Sequence, residues 1–146
     1  MKSNLFFLTV LTFFLFLTSF KNYGDNETSL FDKNGVAQAF ITDDQTIYLW
    51  DGKPVAYLSN SNNLWHVYGF NGSHLGWYID GIIYDHSGKP VGAQKSAIST
   101  ITTTPGFKGM KIMKPMKSMK EMAPMKPMLS KSWSNTTLTI FLKAGV

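Results

Sequence analysis

Cysteine is absent from this chain of 146 residues, and so is arginine. Without cysteine there is no disulfide, no thiolate metal ligand, no thiol nucleophile and no cysteine to carry a lipid at a cleavage site. Without arginine, all 14 basic residues are lysine. The planar fork that grips bases and phosphates in two places is then missing. The formal charge of +5 is therefore poor grounds for a nucleic-acid partner, and none is expected.

The usual catalytic spacings are missing too. The histidines, His66, His74 and His86, have neither the H-x-H nor the i, i+4 spacing of metal ligands. They read as exposed or hairpin-edge side chains. Asp43-Asp44 reads as a solvated loop. There is no nucleophile elbow and no glycine-rich phosphate loop. No catalytic, cofactor-binding or metal-binding residue is assigned, no cofactor is expected, and the chain is read as non-enzymatic.

Hydrophobic runs are short. The longest runs from Leu5 to Phe20 behind Lys2, broken only by Thr9, Thr12, Thr18 and Ser19. As a helix it would span roughly 24 Å, against a hydrocarbon core of ~30 Å. One positive charge before a short Leu/Phe-rich stretch predicts a secretory signal over residues 1–21 and an exported protein. An uncleaved anchor is the alternative, and the only membrane contact expected.

What the chain does contain is repetition. Four segments align without gaps between Leu30 and Ala93. Their turn pairs are Asn34-Gly35, Asp51-Gly52, Asn71-Gly72 and Ser87-Gly88. Such pairs in register predict four β-hairpins closed by two-residue type I′ turns, in which both central residues need positive φ. That register pairs Tyr48 with Val55, Tyr68 with Leu75, Tyr84 with Val91 and, imperfectly, Phe31 with Gln38. On the other face it pairs an aliphatic with a tiny residue: Leu30 with Ala39, Ile47 with Ala56, Val67 with Gly76, Ile83 with Gly92. Because a single hairpin is marginal in water, the four are expected to bury one another around a shared centre, with the tiny residues at the closest approach.

The repeated aliphatic-aromatic-x-x-[Asn/Asp/Ser]-Gly core resembles the 4-fold β flower domain family, in which four hairpins radiate like petals about a pseudo-four-fold axis. The likeness covers about 65 residues. It implies an all-β fold over residues 22–94 and brings no established enzymatic activity. Gln38 and the missing proline of the first and third units depart from the pattern.

Beyond a linker over residues 95–109, or an extra edge strand over 95–105, methionine falls at every third position from Met110 to Met128. Lysine follows five of the seven, and Pro115, Pro124 and Pro127 stand between. Period three scatters methionine around an α-helix and alternates it across a strand. In polyproline II it makes one continuous ridge, about 56 Å long at ~3.1 Å per residue. Between Asn22 and Pro105 four lysines face eight acids, a balance of −4, whereas Gly106–Lys131 holds seven lysines and one acid, +6. The tail is thus expected to dock on its own or a neighbouring β domain, with thioethers against aromatic rings. A copper(I)-handling Met-x-x-Met array is the alternative. A short helix within residues 134–144, capped by Ser134 or Asn135, should bury Leu138, Phe141 and Leu142. Trp50, Trp65, Trp77, Tyr57 and Tyr78 read as core, with a sugar-binding platform as a further alternative. The leading function is an exported structural or binding module; its ligand and partner are open.

Overall fold

The computed structural model describes residues 26–146; the expected export segment lies outside them. Eight antiparallel strands follow one another around a closed barrel in chain order. They are β1 (Thr28–Phe31), β2 (Ala37–Ile41), β3 (Thr46–Leu49), β4 (Pro54–Ser61), β5 (Leu64–Gly69), β6 (His74–Ile79), β7 (Ile82–Tyr84) and β8 (Pro90–Gln94). Each repeat is one hairpin, and β8 closes the ring on β1. Closure leaves no free sheet edge. The four aliphatic–tiny pairs form as expected, Leu30↔Ala39, Ile47↔Ala56, Val67↔Gly76 and Ile83↔Gly92, and their aliphatic members are fully buried.

Nearer the tips the register differs from expectation. Tyr48 opposes Pro54 rather than Val55, Tyr68 opposes His74 rather than Leu75, Tyr84 opposes Pro90 rather than Val91, and Phe31 opposes Ala37 rather than Gln38. The cause lies in the turns. Gly52 donates to the Leu49 carbonyl and Leu49 to the Lys53 carbonyl, and the other three tips repeat this pattern. Only the glycine takes positive φ (Gly35 75°, Gly52 91°, Gly72 90°, Gly88 74°), whereas Asn34, Asp51, Asn71 and Ser87 do not. These are three-residue loops, a type I turn followed by a glycine bulge, and not type I′ turns. Side-chain oxygens stabilise them. Asp32 Oδ1 accepts from the Asn34 and Val36 amides, and Asp85 Oδ1 accepts from those of Ser87 and Lys89. Primed two-residue turns occur instead between the hairpins, at Asn62-Asn63 and Asp80-Gly81, where both residues have positive φ. The extra residue at each tip rotates Val55, Leu75 and Val91 into the interior cluster and leaves the tyrosines outside.

One helix, α1 (Leu138–Lys143), supplies the rest of the interior. Its cap is Thr137, whose hydroxyl accepts from the Ile140 amide at 3.4 Å, rather than Ser134 or Asn135. Leu138 and Leu142 are fully buried in the same cluster as the barrel's inner residues. A Cβ on Gly92 would lie 2.8 Å from the Leu138 side chain, and one on Gly76 3.1 Å from Phe141 Cζ. The tiny residues therefore make room for the helix as well as for each other. The C-terminus is tied to the third tip, where Asn71 donates to the Gly145 carbonyl at 3.1 Å and, through Nδ2, to that of Ala144 at 3.0 Å.

Candidate functional site

The segment from Ile98 to Thr137 contains neither helix nor strand, yet its backbone is fixed at regular intervals. The carbonyls of the four tip glycines, Gly35, Gly52, Gly72 and Gly88, accept hydrogen bonds from Thr103, Ile112, Glu121 and Ser130 at 2.9, 3.1, 3.0 and 2.8 Å. The donors stand nine residues apart, three of the tail's three-residue periods for each hairpin. Gly109 and Ser118 add bonds to the Trp50 and Phe70 carbonyls, both at 2.8 Å. The same glycines leave no room for a side chain. A Cβ on Gly35, Gly52, Gly72 or Gly88 would lie 2.0–2.2 Å from the carbonyl oxygen of Ile101, Met110, Met119 or Met128. The tail is a belt laid across all four hairpin tips and held by its backbone.

The side chains of the belt divide between its two faces. Lys108, Lys111, Lys114, Lys117 and Lys120 turn inward. Lys108 lies 4.4 Å from the Phe40 ring centre and Lys117 4.0 Å from that of Tyr57, and Lys120 reaches Tyr68 and the Ser59 hydroxyl. Lys108 and Lys111 bind Glu27, and Lys114 binds Asp44. Burial works to raise the Glu27 pKa, but the two lysines prevail and lower it. Asp44 is likewise held well below the carboxylate range by Lys114 and Thr42. Methionines turn outward, with all seven between 89% and 95% exposed. This reverses the expected contact of thioethers with aromatic rings. The physical reason is visible in the first segment, Ile98–Gly106, which has no methionine and makes the same bond to its tip. Backbone and lysine hold the belt, and sulfur is not needed.

Under the belt at the third tip lies a histidine chain that sequence spacing does not show. His66 Nδ1 stands 3.0 Å from His74 Nε2, and His74 Nδ1 stands 2.9 Å from His86 Nε2. His66 and His74 are buried, His74 to 2% exposure, while His86 is exposed. Trp77 packs edge-on against His74 and His86, and its buried Nε1 has no partner among the described residues. The belt closes the site, since the Glu121 carboxylate accepts from the His74 amide and its carbonyl accepts from Tyr68 Oη at 3.2 Å. Because His74 uses both ring nitrogens, on opposite edges, the three rings form a line and not a cluster converging on one ion. Among the described residues no group of three His, Cys, Asp or Glu is placed to hold a metal. A neutral chain of this kind must run in one sense, each ring donating to the next. It can pass a proton from exposed His86 toward His66 by reversing that sense.

Burial, then repulsion from His86 and His66, pushes the His74 pKa down to about 4, against an opposing pull from Glu121. Burial, with help from Lys120, also lowers that of His66. A lowered histidine pKa means that the unfolded chain binds the proton more readily. The stability it confers is complete above about 6.5 and is lost as pH falls toward about 4. Urea midpoints are expected to fall over that window by the equivalent of roughly 1–3 kcal/mol. Glu27 and Asp44, with lowered values, begin to lose their share as pH falls through about 4.5 and 3.8, at the foot of that window, and lose the rest below it. A His74→Gln variant should flatten the first step and leave the second. A native protein equally stable across the first window would contradict the chain.

The proposed aromatic platform does not share one exposed face. Trp77 and Tyr57 are buried, and Trp65 is exposed. Half-buried Trp50 donates from Nε1 to the Gly106 carbonyl of the belt at 3.2 Å. The family model described as 4-fold beta flower protein matches residues 28–142. No curated protein matches the chain, and no solved structure does. The match spans hairpins, belt and helix, and the chain belongs to the 4-fold β flower family.

Proposed function

We propose that this 4-fold β flower protein is an exported, non-enzymatic module in which the barrel is a frame and the outer edge of the belt is the working surface. One observation carries the reading: seven thioethers stand in solvent on a segment whose backbone is bonded to the frame at every ninth residue. A belt kept only for stability needs no sulfur on its outer face, as its first segment illustrates. Exposed apolar side chains collected in one strip mark a surface for interaction. Export rests on Lys2 and the apolar run behind it. A copper(I)-binding reading has the outward sulfurs in its favour and seven belt lysines against one acid in its disfavour.

Among the described residues, the histidine chain is the place from which an enzyme could be argued, so it supplies the test. Purified protein is expected to show no turnover of ester, amide, glycoside or phosphoester substrates above that of His74→Gln. Turnover present in the native protein, lost in that variant and accompanied by unchanged melting would end the non-enzymatic reading. Met1 still present on protein recovered outside the cell would end the cleaved-signal reading.

A further inference from the structure

The placement of sulfur divides the molecule in two. Apart from Met1, every sulfur atom of the chain lies in the belt, and the residues from Lys2 to Gly109 contain none. The hydrophobic clusters of the barrel and α1 are made of aliphatic and aromatic side chains, with no sulfur among them. All seven belt thioethers are exposed, and the bonds described as holding the belt are made by backbone amides, lysines, Trp50, Tyr68 and Glu121, none of them by sulfur.

We propose that the methionine belt is a reversible oxidation site, at which peroxide oxygen is taken up as methionine sulfoxide without loss of the fold. The step is balanced. A thioether lone pair attacks one peroxide oxygen, a sulfur–oxygen bond forms and the oxygen–oxygen bond breaks. Sulfur is oxidised by two electrons, and the departing hydroxide takes up the remaining proton and leaves as water. In most proteins this lesion disrupts packing, because methionine is a core residue and its sulfoxide is polar. Here the methionines pack against nothing that the fold needs. Oxidation instead changes the surface itself, turning an apolar ridge into a line of sulfoxide dipoles around the hairpin tips. What the ridge offers to a partner is thereby switched, and enzymes that reduce sulfoxides restore it. The inference rests on the display reading above, since it needs the belt docked with its sulfurs outward.

The test is hydrogen peroxide acting on the full protein, followed by intact mass and peptide mapping. All seven belt methionines are expected to gain one oxygen each, in parallel, at rates within about threefold of a free methionine derivative. The melting temperature and the resistance of the belt lysines to trypsin should not change. Retention on a hydrophobic resin should fall on oxidation and return after treatment with sulfoxide reductases. A variant with the seven methionines replaced by leucine should keep its fold and its retention and gain no oxygen in the belt. Two failures are distinguishable. Belt lysines cut by trypsin before any oxidation would mean that the belt is undocked and the display reading is wrong. A trypsin-resistant belt whose methionines resist peroxide, or whose oxidation unfolds the barrel, would overturn this inference alone.

Discussion

Gly52→Val is expected to lower the melting temperature and to release the belt at the second hairpin. Two independent costs meet at this residue. Its φ of 91° is closed to a β-branched side chain and costs of order 1–3 kcal/mol. Its Cβ would also lie 2.0 Å from the Met110 carbonyl oxygen, a backbone atom that can yield only if the belt moves. The Ile112–Gly52 bond and the neighbouring Gly109–Trp50 bond would go with it. For a domain of this size the first cost corresponds to about 4–15 °C. The second should appear as new trypsin cleavage after Lys108 and Lys111, which flank those two bonds. Gly52→Asn separates the two, since asparagine tolerates left-handed φ but still carries a Cβ, so it should free the belt with a smaller loss of melting temperature. Gly106→Val is the control, because Gly106 has no heavy atom within 4 Å of its would-be Cβ and no positive φ. Unchanged melting and unchanged cleavage in Gly52→Val would refute the belt geometry and the turn together.

The architecture was legible in the sequence because its signals repeat. Four glycines in register located the tips, and Leu30/Ala39, Ile47/Ala56, Val67/Gly76 and Ile83/Gly92 located the interior. The turn type was not legible. An Asn-Gly or Asp-Gly pair suits a type I′ turn, but it also suits a type I turn with a glycine bulge, and the choice is made by one added residue. Here Asp32 and Asp85, by accepting two amides each, and the belt across the tips favour the longer loop. That single residue concealed the histidine chain. In the unbulged register His74 falls on the face opposite His66 and Tyr68. With the bulge it stands opposite Tyr68, two residues along the strand from His66, on the same outer face. The belt was half legible. Its three-residue period was plain, but the nine-residue period lies in backbone contacts, which leave no mark on side-chain identity. Which face turned outward depended on Glu27, Asp44 and the ring faces of Phe40 and Tyr57, all distant in sequence from the lysines they receive.

The helix that fills the barrel offers the other large effect, because nothing else in the described chain can take its place. Leu138→Ala removes a fully buried side chain from the cluster that joins all four hairpins to α1. A loss of about 2–5 kcal/mol is expected from transfer and cavity terms together, measured by urea unfolding. Leu142→Ala should cost a similar amount, and Ile140→Ala, on the exposed face of the same helix, almost nothing. The pattern across the three would show that docking matters and helix propensity does not, since each change replaces an aliphatic residue by the best helix former. Gly92 makes the argument sharper. Its Cβ would lie 2.8 Å from the branched end of Leu138, and its φ is not in the positive range, so Gly92→Ala should destabilise by crowding alone. Shortening Leu138 opens the space that an alanine at position 92 needs. The double variant should therefore lose less than the sum of the two single losses, with a coupling of about 0.5–3 kcal/mol. Strict additivity, or a Leu138→Ala protein as stable as the native one, would mean that α1 does not sit in the barrel as described.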